Sequence, residues 1–283
     1  MGIFNISGRF LYNLSVMIFA RPKFQPFFLK LFRINLGYLG YMNWSPDFKL
    51  TGEKLALKEL KVHGINKVLD IGANKGQWAN MALETLNCKV ISFEPQSLAF
   101  DELNLLKDKY GEKIQTFRLA VGDSNKDIPI HVHVSSSELS FIDDRLKKMP
   151  LLTGKTENQE LVTMVTLDAL FETESELLSN IDLIKIDTEG FEINVLKGGL
   201  NYIHAVSPKF IQLEINWHQL FVNSSLFSFS ELLTNYDVYK LLPSGECLLH
   251  ISPTDPVNNL YQLSNVMFVR RDISLKIQGK RKA

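Results

Sequence analysis

The sequence predicts an α/β fold, a mostly parallel sheet with helices on both faces, behind an N-terminal extension rich in aromatic and basic residues. Three observations carry that expectation. Short apolar runs such as Val68-Leu69 and Val90-Ile91 lead into an acid or a glycine-bearing turn. Helix-compatible stretches separate one run from the next. Strands alternating with helices in that rhythm imply right-handed crossovers and therefore parallel pairing.

The first 46 residues contain no Asp or Glu but carry Arg9, Arg21, Lys23, Lys30 and Arg33, interleaved with phenylalanines. The apolar run 11–20 is half the ~20 residues a spanning helix needs. No small-x-small cleavage site follows Ala20, and Ile6 stands where a myristoylation motif requires Ser or Thr. Two readings of the extension, residues 1–50, stand. It is a helical cap packing its aromatic face on the core, or an interfacial segment making peripheral contact with an anionic membrane through residues 1–46. A lipid-linked or membrane-proximal substrate would suit the second.

A helix is expected over 51–64, with Leu55, Leu57, Leu60 and Val62 as its apolar side and Gly64 as its stop. A strand over Lys67–Ile71, a helix over Gln77–Leu86, a strand over Lys89–Phe93, a helix over 97–109 and a strand over 114–121 follow. The last of these ends at Gly122-Asp123.

From 124 to 166 the pattern changes. Residues 128–134 alternate at period two and read as an extra strand. His131 and His133 share one face there, and with no cysteine or third histidine nearby they read as half-exposed strand residues. The charged, proline-interrupted stretch to Glu160 reads as a long surface excursion, either a substrate contact or lid or a decorative insertion. The sheet resumes with strands at 182–186 and 210–215 around a helix over 192–203. Later strands at 238–242 and 262–269 would complete an antiparallel edge, and 276–283 form a basic, solvated tail.

Composition narrows the partners. Lys plus Arg and Asp plus Glu balance at 31 each, so no global field argues for nucleic acid. The two cysteines, Cys88 and Cys247, are too few and too far apart for a disulfide framework or a zinc knuckle, which fits a reducing, cytoplasmic setting.

The most informative stretch is Asp70-Ile71-Gly72-Ala73-Asn74-Lys75-Gly76, answered by Phe93-Glu94-Pro95. A turn that approaches a ligand, followed by a carboxylate on the next strand tip, suits an adenosine-containing cofactor whose ribose hydroxyls donate to the acid. A dinucleotide fingerprint would need glycines where Asn74 and Gln77 stand, and no phosphate-cradling G-x-x-x-x-G-K-[ST] loop is present. S-adenosylmethionine carries no phosphate and fits what remains. Gly72, Ala73, Asn74 and Gly76 would shape the turn beneath its methionine part. Asp70 would order that turn or receive the amino group through water, and Glu94 would accept from the ribose. An ordinary strand-turn-helix unit remains the alternative for this short pattern.

Further on runs Ile184-Lys185-Ile186-Asp187-Thr188-Glu189-Gly190-Phe191-Glu192, continuing through Val195-Leu196-Lys197-Gly198. With D-I-G-A-N-x-G, F-E-P and Leu119-Ala120-Val121-Gly122-Asp123, in that order, the chain resembles the FkbM family of methyltransferases over about residues 66–216. The resemblance implies a class I, Rossmann-like S-adenosylmethionine-dependent fold with a seven-stranded sheet over 51–275. It also implies methyl transfer to a hydroxyl, frequently on a saccharide or glycan-like small molecule, and it supports Asp123 as acceptor from the adenine amino group.

Asp70, Glu94, Asp187 and Glu214 all fall at the carboxyl ends of expected strands, where open parallel sheets bind ligands. That clustering favours an enzyme. Asp187 is expected to face the methyl-transfer site, with Glu189 or His218 as general base. Alternatively, Asp187, Glu189 and Glu214 offer a divalent metal such as Mg²⁺ an all-oxygen site, or Glu189 merely begins the next helix. A catalytically silent binding protein and an NAD-type oxidoreductase are the competing functions, and the missing glycines weigh against the second. All of this requires Asp70, Glu94 and Asp187 to converge on one cavity.

Overall fold

Two units make up the chain, Met1–Met42 and Asn43–Ala283. The computed structural model describes residues 6–41, 50–133, 137, 140–150, 152, 156–245 and 247–275. The basic tail 276–283 and Val134, the end of the expected extra strand, lie outside the described residues.

In the first unit α1 (Ile6–Phe19) and α2 (Gln25–Tyr38) flank a short 3₁₀ turn at Pro22–Phe24. Proline at the turn's first position presets the backbone angle there. The Phe19 ring meets Phe24 and Phe28 edge-on at 5.5 and 6.2 Å. Neither helix is long and apolar enough to cross a membrane.

The second unit begins with α3 (Glu53–Leu60), whose Ala56, Leu57 and Leu60 are buried at helical spacing. Then come β1 (Lys67–Ile71), α4 (Gln77–Leu86), β2 (Lys89–Phe93), α5 (Ser97–Asn104), α6 (Leu106–Tyr110) and β3 (Ile114–Phe117). Next are β4 (Ala120–Val121), β5 (Lys126–His133), β6 (Thr156–Val165), α7 (Leu167–Thr173), α8 (Ser175–Leu178) and β7 (Leu183–Ile186). After these run α9 (Glu192–Lys197), α10 (Leu200–Val206), β8 (Phe210–Ile215), α11 (His218–Val222) and α12 (Leu226–Leu232). The unit closes with β9 (Tyr236–Leu241), β10 (Leu248–His250) and β11 (Ser264–Arg270).

The main sheet runs β10-β9-β11-β8-β7-β1-β2-β3. Pairings from β3 through β8 are parallel, and β11 enters antiparallel between β8 and β9. The short β10 adds an eighth strand to the expected seven. Alternation along β1 sends Leu69 and Ile71 into one core and Val68 into the other. Both faces are therefore covered, and each fully buried aliphatic side chain contributes roughly 1.5–3 kcal/mol.

Three expectations are corrected. The strand over 114–121 breaks at Arg118-Leu119, and its end, β4, joins β6 and β5 in a separate three-stranded sheet. The stretch toward Glu160 is thus partly ordered as β6, with alternating residues paired antiparallel to β5. The helix over 192–203 divides at Gly198-Gly199. A Cβ on Gly198 would lie 1.9 Å from the Gly122 carbonyl oxygen, so close backbone approach sets the break.

Candidate active site

The sheet order places β1 between β2 and β7, both parallel to it, and so brings two turns distant in sequence to the same end of the sheet. Leaving β1, Gly72 takes φ +78°, and a side chain there would meet the Asp187 carbonyl oxygen at 1.8 Å. The turn after β1 and the loop after β7 therefore touch backbone to backbone. A cavity of about 410 Å³ opens above them, within the roughly 300–1,000 Å³ usual for small-molecule and cofactor sites.

The N–H groups of the first turn are already spent. Gly72 and Ala73 donate to the Phe93 carbonyl, and Asn74 donates to Glu94 Oε2 at 2.8 Å. A phosphate would find none of these three available, in contrast to a dinucleotide loop. Glu94 also accepts from the Gln96 N–H at 2.9 Å through its other oxygen, so its carboxylate is held at the wall with acceptor capacity left on both oxygens. Leu119, Ala120 and Val121 supply apolar wall nearby. These residues fit a phosphate-free adenosyl group. Burial pushes the Glu94 carboxyl up to about 7, against the pull of its two backbone donors.

Of the expected cofactor residues, Gly72, Ala73, Asn74 and Glu94 line the cavity. Gly76 does not. It packs beneath, where an added Cβ would press on Leu103 and Leu106. Asp70 is fully buried and also lies off the wall, with Lys185 Nζ 3.7 Å from its Oδ1. Burial raises its carboxyl to about 6. Of the three acids expected to converge on one cavity, Glu94 and Asp187 line it, whereas Asp70, expected to order the turn or to receive the amino group through water, stands behind the wall beside Lys185. Asp123 is exposed, accepts from Asn194 Nδ2 at 2.6 Å and is not part of the wall, so the structure does not bring it to the adenine position.

Asp187, Glu189, Glu214 and His218 do line the same cavity as Glu94. Glu189 adopts φ +52°, a left-handed conformation uncommon outside glycine, and strain of that kind concentrates at working sites. It sits ahead of α9, so the helix-start alternative fails. The first-turn acid is Glu192, whose Oε1 accepts from the Thr188 and Gly190 N–H groups while Gln219 donates to Oε2. That buried carboxylate holds the Asp187–Gly190 loop in shape.

Glu189 Oε2 lies 3.2 Å from His218 Nδ1. Burial pushes the His218 imidazole down to about 4, so it is neutral at neutral pH. Both ring nitrogens of His218 are buried, and neither makes a hydrogen bond of good geometry among the described residues. Ligand atoms of Asp187, Glu189 and Glu214 lie within 4.8 Å of one another. Burial, reinforced by the Asp187 charge, holds Glu214 well above the usual carboxylate range.

Several wall residues escaped the sequence reading. Lys185 is the central one, a cation 3.1 Å from Asp187 Oδ2 in the middle of a buried strand. Its signal was a lysine within the apolar run Leu183–Ile186. Burial alone would depress its ammonium, but Asp187, Asp70 and Glu53 hold it above the lysine range. Glu53 and Thr51 reach the cavity from the start of α3, and Gln212 donates to Glu53 at 2.8 Å. Nothing local distinguishes Glu53 from an ordinary first-turn acid.

Ser137 and residues 140–142, between β5 and β6, close one side. Ser137 Oγ donates to Asn74 Oδ1 at 2.7 Å, and Gln96 Nε2 donates to Ser140 Oγ at 3.0 Å. Phe141 and Ile142 join the wall. His131 and His133 are buried rather than half-exposed. His131 stands between Asp144 and Gln159 under Phe141, a structural role that alternation could not reveal.

Parallel strands reversing order at β1, with a cofactor-sized cavity carrying several acids at their carboxyl ends, define an α/β enzyme that binds a nucleoside-type cofactor. The chain belongs to the FkbM methyltransferases, the methyltransferase FkbM domain matching residues 70–238. No curated protein matches the sequence. Among solved structures the chain is similar to an O-methyltransferase from Bacillus cereus in complex with SAH, at 13% identity and TM-score 0.44, covering 86% of this chain and 89% of that one. It is also similar to the O-methyltransferase TomG from Streptomyces achromogenes in complex with SAM, at 8% identity and TM-score 0.41, covering 77% and 79%. Likenesses that distant leave the acceptor chemistry to this chain's own residues.

Proposed function

We propose that the protein methylates a hydroxyl on a saccharide or glycan-like small molecule. The observation that carries this reading is the convergence of Asp187 and the Glu189–His218 pair on the cavity that Glu94 lines. Bound S-adenosylmethionine supplies an electrophilic methyl group on a sulfonium. The chain must then align an acceptor hydroxyl and take its proton as the carbon–oxygen bond forms. With Glu189 Oε2 3.2 Å from Nδ1, the carboxylate charge favours the tautomer that carries its proton on Nδ1 and leaves Nε2 as a lone-pair acceptor. A hydroxyl oxygen becomes much more acidic as it is alkylated, so a base weakened by burial still suffices. Asp187, directed by Lys185, positions the hydroxyl.

A second reading gives the acid cluster to a divalent cation, and the 4.8 Å grouping of Asp187, Glu189 and Glu214 favours it. The charge balance supports the first reading. Lys185 already compensates the Asp187 charge that a cation would otherwise neutralise.

The test is transfer of labelled methyl from S-adenosylmethionine to a panel of sugars, sugar nucleotides and glycolipids, with linkage assigned by mass spectrometry. An O-methyl product supports the proposal. Label that ends only on nitrogen, or S-adenosylhomocysteine binding with no transfer to any acceptor, overturns it.

A further inference from the structure

Exposed apolar surface is concentrated on α1 and α2. Phe10, Met17, Phe27 and Phe32 are 68%, 75%, 59% and 51% exposed. From Phe10 to Phe19 every side chain but that of Ser15 is exposed, and only Asn13 and Ser15 are small polar residues. The apolar surface thus runs around α1 instead of along one stripe. A helix apolar on all sides requires an apolar medium around it. At 14 residues each, α1 and α2 are about 21 Å long, short of the ~30 Å hydrocarbon core, so they cannot span it singly.

Charge selects the medium. Arg9, Arg21, Lys23, Lys30 and Arg33 are not matched by a single acid in the first 46 residues. Lys23 Nζ lies 4.8 Å from the centre of the Phe24 ring, which places a cation beside an aromatic as an interface between headgroup and acyl chain would. A second copy of the chain docking on this surface would set like charges against like in an isologous contact. An anionic bilayer answers both the apolar surface and the positive charge.

We propose that α1 and α2 form a non-spanning anchor embedded in one leaflet of an anionic membrane, with their apolar side chains among the acyl chains and their cations at the headgroups. The inference does not depend on the acceptor proposed above. Flotation of the full-length protein with vesicles of phosphatidylcholine and phosphatidylglycerol tests it. The protein is expected to float with these vesicles, more weakly with phosphatidylcholine alone, and less as salt rises. Replacing two cations, Lys23→Gln with Arg33→Gln, should lower the partition coefficient by about thirtyfold. Met17→Ser with Phe27→Ser should lower it while circular dichroism and the thermal midpoint show an intact fold. Failure to float with either vesicle overturns the proposal. So does a concentration-dependent dimer in sedimentation equilibrium that accounts for the surface without vesicle binding.

Discussion

Lys185 Nζ lies 3.1 Å from Asp187 Oδ2, and this contact sets how the acid after β7 meets the cavity. The cation is buried within the sheet and reaches Asp70 at 3.7 Å on its other side. It thus ties the end of β1 to the end of β7 by charge, where Gly72 ties them by close backbone approach.

Removing that cation strands two carboxylates. Lys185→Met should cost about 3–5 kcal/mol of stability, the usual penalty for breaking a buried ion pair from one side. Urea denaturation measures it, and adding Asp70→Asn should restore part of the loss. An unchanged midpoint would show that the pair carries no energetic weight.

Asp187→Asn keeps the side chain's size and removes its charge. Turnover should fall roughly a hundred- to ten-thousandfold while S-adenosylhomocysteine still binds, as calorimetry would record. Retained turnover removes Asp187 from the reaction.

Gly72→Ala introduces a methyl where the Asp187 carbonyl sits 1.8 Å away, at φ +78°. Strain at such a position alone costs roughly 1–3 kcal/mol, and the clash must also displace the Asp187 loop. Both the denaturation midpoint and cofactor affinity should drop. Wild-type values for the two would contradict the close approach.

The Glu94 carboxyl is raised from 4.5 to about 7 in the folded chain, chiefly by burial. The folded state then holds a proton that the unfolded chain has released. Glu94's contribution is therefore fully present below pH ~4.5 and is lost as pH rises through about 7. His218, lowered from 6.5 to about 4, runs the other way, losing its contribution as pH falls through that window. Glu94→Gln removes only the first effect, so the variant should gain stability relative to wild type as pH rises from 4.5 to 7. The gain should reach at most about 3 kcal/mol. Parallel melting curves across pH would refute this.

With Lys185 already compensating Asp187, methyl transfer should survive exhaustive chelation. Loss of activity on dialysis against EDTA, restored by Mg²⁺, would transfer the acid cluster to a metal.

Much of the frame could be read locally. Lys67–Ile71, Gln77–Leu86, Lys89–Phe93 and Phe210–Ile215 form where their patterning places them, because buried parallel strands and their crossover helices carry strong periodic signals. Gly72, Ala73, Asn74 and Glu94 reached the cavity for the same reason, since a strand tip and its turn are local features. The strand carrying Val121 could not be followed to its change of sheet. Its pairing depends on β6, more than thirty residues later.

Order along the chain determined a doubly covered parallel sheet, a turn suited to a phosphate-free adenosyl group, and a set of acids at strand ends. Tertiary structure decided which acids face the cavity. Asp70 sinks beneath it, Asp123 turns to Asn194, Glu53 arrives from a helix, and Lys185 settles among the carboxylates. A strand's alternation says which residues share a face. Whether that face opens on solvent, cofactor or a buried counter-charge is settled by elements far off in the chain, through burial and Coulomb forces that no local pattern encodes.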